Sequence, residues 1–66
     1  MPIYYVNNKA QLNGDHEVHK AGCTWMPSDK KSLGEHIGCS TAVASAKKIY
    51  PKADGCKTCA NACHTG

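Results

Sequence analysis

The sequence has no phenylalanine, one tryptophan and three tyrosines in 66 residues, and many of its other apolar residues are alanine. That scarcity excludes a large self-sufficient core. A chain of this length buries only ~60% of the surface its unfolded form exposes, and domains this small usually rely on a disulfide, a metal or a partner. No stretch approaches the ~20 apolar residues of a membrane span. Met1-Pro2-Ile3-Tyr4-Tyr5-Val6 has no basic leader ahead of an apolar run, which predicts no export signal and a cytoplasmic location, where thiols stay reduced. A glycine-rich phosphate loop and a Ser/His/Asp arrangement are both missing. The five acidic residues are too scattered to act as paired carboxylates. One domain spanning residues 1–66 and no conventional active site are expected.

Against these absences stand five cysteines and four histidines. His19-Lys20-Ala21-Gly22-Cys23 offers two ligands four positions apart, and Cys56-Lys57-Thr58-Cys59 closes a second pair. Zinc favours four ligands drawn from thiolate sulfur and imidazole nitrogen, and a two-residue gap between cysteines is its usual chelating turn. The odd cysteine count argues against a complete disulfide framework. Zn2+ held by His19, Cys23, Cys56 and Cys59 is therefore the favoured reading, with the metal supplying cohesion that the sparse interior lacks.

The formal charge of +3 carries no dense basic run. Lys30-Lys31 and Lys47-Lys48 are pairs, and the remaining lysines are scattered. Zinc on three thiolates and a neutral imidazole would lower the total by one. The balance permits a nucleic-acid surface and is equally ordinary for a solvated exterior.

The pattern predicts an α+β fold with a two- or three-stranded antiparallel sheet and one main helix. Ile3 to Val6 is β-prone and ends at the turn signal Asn7-Asn8. Asn13-Gly14-Asp15 is a second strong turn, and residues 16 to 19 read as the returning strand. Alternation then sends His16 and His19 to opposite faces, leaving His16 as a surface or supporting residue. Gly22 loosens the backbone before Cys23. Trp25 is expected to cap the core and shield the thiolates. Ser28 to Ser32 reads as an exposed loop, and Leu33 to Ile37 as a short strand interrupted by Gly34, with His36 exposed. The helix is expected over about Thr41 to Tyr50, capped by Cys39 or Ser40 and stopped by Pro51. Ala42, Val43, Ala46, Ile49 and Tyr50 share one side, and the terminal lysines complement the dipole. Ala53-Asp54-Gly55 reads as a turn into the Cys56–Cys59 knuckle.

In its order of elements, the chain resembles the small zinc-binding domains of the Ada type. Their pattern is a strand, a Cys-x3-Cys or His-x3-Cys pair, a further strand, one helix and a closing Cys-x2-Cys. The match runs from about His16 to Ala60, with His19, Cys23, Cys56 and Cys59 on the four ligand positions. In the repair protein that names the family, a zinc-bound thiolate at the first position accepts methyl groups from DNA phosphotriesters. This sequence has His19 there, and a metal-bound imidazole has its lone pair tied up. Relatives with His-x3-Cys look like structural or nucleic-acid-associated appendages, and the resemblance implies such a role here.

Cys39, Cys63 and His64 fall outside this scheme. Cys39 reads as a small buried residue at the helix start, and Cys63-His64 as part of a loosely ordered end. Cys59-x3-Cys63-His64 is a near miss for covalent haem attachment. Three classes of function follow. The leading one is a non-catalytic zinc module, monomeric, that presents a surface to nucleic acid or another protein. The second is thiol chemistry, either alkyl acceptance at a zinc-bound sulfur or redox cycling of Cys39 and Cys63. The third is an iron–sulfur centre on Cys39, Cys56, Cys59 and Cys63.

Overall fold

Alternation along Tyr4-Tyr5-Val6 places Tyr4 and Val6, both buried, on one face of β1 (Ile3–Asn7) and Tyr5 on the other. The computed structural model describes residues 1–65. After β1 come β2 (His16–Lys20), β3 (Lys30–Glu35), α1 (Cys39–Lys47), β4 (Ala53–Gly55) and a 3-10 turn over Asn61–Cys63. One four-stranded sheet runs in the order β3-β1-β2-β4. β1 is antiparallel to both β2 and β3, and β4 is parallel to β2. The α+β class with one main helix holds, and the sheet is mixed and one strand wider than the sequence suggests. Among the described residues no helix is long and apolar enough to cross a membrane.

The turn before β2 forms around Gly14, whose φ of 90° lies in the left-handed region. The backbone N–H of Asp15 donates to Asn13 Oδ1 at 3.0 Å, closing the turn. β3 begins at Lys30, inside the segment expected to be a loop. Its register against β1 slips between Tyr4, opposite Gly34, and Tyr5, opposite Ser32. Leu33 is thus the extra residue of a β-bulge, and Gly34, with φ of 80°, takes the left-handed conformation beside it. The glycine bends the strand without ending it.

α1 starts at Cys39 with Gly38 as N-cap, and no side chain caps it. It stops at Lys47, short of the expected Tyr50, and the N–H groups of Ile49 and Tyr50 both bond the Ala46 carbonyl as the chain turns away. Ala42 and Ala46 are fully buried against Tyr4, Val6, Val18 and Ala53. Two alanines on one face let the helix lie close to the sheet. Cys39, Val43 and Tyr50 pack around them, partly buried, together with Leu33. Ile49, expected on the same face, is 43% exposed.

His16 and His36 belong to this packing. The His16 ring stacks on Tyr50 with centroids 3.9 Å apart, and its Nδ1–H donates to the Asn7 carbonyl at 2.9 Å. His36 is half-buried and not freely exposed as expected. Its Nε2–H donates to the Leu33 carbonyl at 2.9 Å, and Nδ1 sits 3.1 Å from the Thr41 hydroxyl.

β4 is the element that the sequence conceals. Ala, Asp and Gly have poor strand propensity, yet Ala53, Asp54 and Gly55 are all buried and pair with His16, Glu17 and Val18. A Cβ on Gly55 would lie 2.7 Å from the Ala60 carbonyl oxygen and 2.8 Å from Cys63 Cβ, so only glycine fits there.

Candidate metal centre

Strand alternation sets the first donor. Val18 faces α1, so His19 faces the opposite side of the sheet, where it is only 1% exposed. The parallel pairing of β4 sets the second. Gly55 pairs with Val18, and the Cys56 N–H continues the ladder to the Val18 carbonyl at 2.9 Å, bringing Cys56 beside His19 on the same face. There the ladder ends. The Cys56 carbonyl accepts from the Ala60 N–H at 2.9 Å, and the Lys20 N–H reaches Cys59 Sγ at 3.3 Å. The knuckle thus folds back over the end of β2.

Cys23 arrives by a tight turn. Its N–H bonds the Lys20 carbonyl at 3.0 Å, and Gly22 takes a φ of 89° that an L side chain rarely adopts. The Met26 N–H then bonds the Cys23 carbonyl at 3.1 Å. Trp25, in this second turn, is 65% exposed and shields neither core nor sulfurs. The turn geometry that aims Cys23 inward leaves the indole outside.

The four donor atoms of His19, Cys23, Cys56 and Cys59 all lie within 4.8 Å of one another. Cys23 Sγ and Cys56 Sγ are 3.9 Å apart, and Cys59 Sγ is 3.8 Å from His19 Nδ1. Two sulfurs held at about 2.3 Å by one tetrahedral zinc are about 3.8 Å apart, so the donor set fits such an ion. The remaining ring nitrogen, His19 Nε2, is 3.5 Å from Glu17 Oε1. A carboxylate at that distance favours the Nε2–H tautomer, which turns the Nδ1 lone pair to the sulfurs, a support common behind metal-binding histidines. Sequence reasoning overlooked Glu17, although its place two residues before His19 on one strand face was a usable signal.

The electrostatics point the same way. Burial, and then hydrogen bonding with the Cys23 thiol, push the Cys59 thiol up to about 12, against a lowering pull from the Lys20 N–H. Burial also lowers the His19 imidazole, against a smaller raising effect of Glu17. The upward shift disfavours the Cys59 thiolate on its own, and a cation at the shared centre would stabilise it. Metal uptake must then expel protons from sulfur, so affinity rises with pH.

Cys39 and Cys63 form a disulfide with Cα atoms 6.1 Å apart, and Cys23, Cys56 and Cys59 are free thiols. The bridge corrects the iron–sulfur set, because two of its four proposed sulfurs are bonded to each other. Cys63 and His64 are also not loose: the His64 Nδ1–H donates to the Gly55 carbonyl at 2.9 Å. Asp54 Oδ2 lies 3.5 Å from the same nitrogen.

No known protein family matches the chain, and neither the curated proteins nor the solved structures contain a match. The metal-binding geometry therefore stands on its own residues.

Proposed function

We propose that this chain is a small zinc-binding module whose metal is structural and non-catalytic. The observation that carries this reading is the convergence of His19, Cys23, Cys56 and Cys59 from two distant segments to within 4.8 Å. Three sulfurs and one imidazole favour zinc over harder cations. Four protein donors leave no open position for a substrate, as in structural sites. The succession β2, His-x3-Cys, β3, α1 and Cys-x2-Cys is the Ada-type order and supports that resemblance. His19 at its first ligand position counts against methyl acceptance. Elemental analysis of native protein should find one zinc per chain, and chelation should abolish the far-ultraviolet helical signal and the cooperative melt. A chelated protein with an unchanged melt would overturn the structural role.

The reading extends to a module that offers phosphate a basic exterior. All eight basic residues are lysines, and every one is exposed. The absence of arginine favours sequence-independent phosphate contact over base readout. DNA retention in a gel shift at low salt, fading as salt rises, is the expected result; no retention at low salt removes this extension.

A further inference from the structure

The bond between Cys39 and Cys63 ties the start of α1 to the 3-10 turn that packs beside it. Cys39 is the first residue of α1, and Cys63 ends the 3-10 turn that follows the knuckle. None of the three residues of that turn is buried, so apolar packing does little to hold it. Its backbone is nonetheless tied to the metal donors. The Ala60 N–H bonds the Cys56 carbonyl and the Cys63 N–H bonds the Ala60 carbonyl, each at 2.9 Å. Gly55, directly before Cys56, lies against both Ala60 and Cys63. Through this short relay, the disulfide clamps the Cys56–Cys59 knuckle to the helix.

We propose that the Cys39–Cys63 disulfide is a thiol-exchange site for dithiol reductants, and that opening it loosens the metal centre. The proposal rests on the zinc reading above. Both half-buried cysteines leave the bridge within reach of a small or protein dithiol. A thiolate of the reductant attacks Cys63 Sγ, the bond to Cys39 breaks, and its electron pair leaves on Cys39 Sγ, which takes up a proton from the solvent. Cys39 is the better leaving group because it begins a nine-residue helix whose first turn holds no acidic residue and whose N-cap provides no side-chain bond. The second thiol of the reductant then gives up its proton and attacks its own partner sulfur. Cys63 is released and protonated, and the reductant leaves as a disulfide. Two electrons and two protons have passed to the chain. The freed turn over Asn61–Cys63, left with hydrogen bonds such as Asn61 Nδ2–H to the Lys57 carbonyl and His64 Nδ1–H to the Gly55 carbonyl, holds Cys56 and Cys59 less firmly against His19 and Cys23. In a reducing compartment the module therefore binds its metal more weakly than in an oxidising one.

The test uses the full chain. Zinc affinity is measured by competition with a chromophoric chelator for the oxidised protein and for the double variant Cys39→Ser/Cys63→Ser, without thiols in the buffer. The variant should bind about 10–100-fold more weakly, the range typical of lost support around a metal. Equal affinities would overturn the clamp. Should the variant fail to fold, the wild-type protein supplies the reciprocal measurement. By linkage, zinc must shift the equilibrium between the disulfide and a reference dithiol by the same factor toward the oxidised form. This is read by alkylating the released thiols and counting them by mass. An equilibrium indifferent to zinc would overturn the proposal. If the oxidised wild-type protein takes up no zinc at all, the metal reading itself falls.

Discussion

Val18 and His19 are neighbours on one strand, and both are sealed from solvent, at 0% and 1% exposure. The means differ. Val18 is covered by a helix through Ala42, Ala46 and the flanking Tyr4 and Val6. His19 is covered by two cysteine turns that bring heteroatoms rather than hydrocarbon. The helix side gains from apolar burial, but with side chains so small that the gain is modest: Val6 and Val18 are its largest fully buried members. The other side packs three thiols and an imidazole around a point that suits a cation and little else. On the proposed zinc reading, this fold divides its cohesion between a thin core and a chelate, and the comparison teaches that the two meet back to back across β2.

The largest effect should come from breaking the chelate. Cys56→Ala removes one donor sulfur while keeping the backbone N–H that continues the β4 ladder. A structural zinc contributes an apparent ~10–16 kcal/mol in small domains, whereas a chain of this length has a total stability of only about 3–10 kcal/mol. The variant should therefore lose zinc stoichiometry and its cooperative melt together. If it stays folded and melts like the parent, the thin core is self-sufficient and the division is wrong.

Cutting the core instead gives a smaller effect with a more diagnostic form. Val18→Ala deletes two carbons from a fully buried site and should cost about 2 kcal/mol. If folding and metal binding are one event, that cost reappears as an apparent zinc affinity roughly 30-fold weaker, although no ligand has been touched. A competition titration against a chelator checks this. A lower melting temperature with unchanged affinity would show that the metal-free chain folds alone.

Legibility in the sequence followed the same division. The chelating pairs could be read because each is a local spacing, and the helix because Ala42, Val43, Ala46 and Tyr50 recur with its period. Strand β1 carried β-branched and aromatic residues ahead of a turn signal, and β2 was legible as the strand returning from the Asn13-Gly14-Asp15 turn. β4 carried none: Ala53-Asp54-Gly55 becomes a strand only because β2 offers it an edge and because glycine lets Ala60 and Cys63 approach. The union of Cys39 with Cys63 is likewise a fact of three-dimensional placement across 24 residues, which no local rule supplies. Gly34 was read as an interruption because a glycine in a strand pattern signals either an end or a bulge, and only pairing with β1 decides between them.

Trp25 marks where hydrophobicity misleads, and its replacement should have the smallest effect. The largest apolar side chain of a poorly filled protein would be expected to fill it, and its place two residues after Cys23 suggested a lid over the sulfurs. The turns that close on either side of Cys23, bonded to Lys20 and Met26, aim the thiol inward and leave the indole 65% exposed. A side chain so placed loses little contact on truncation, so Trp25→Ala should change stability by no more than ~0.5 kcal/mol and leave zinc affinity unaltered. The parent's tryptophan emission should also sit at a wavelength typical of a hydrated indole and barely move on metal loading. A blue-shifted emission, or a loss of stability close to that of Val18→Ala, would return the indole to the interior and make the cover over the thiolates partly apolar. The contrast between the two faces of β2 would then be one of degree.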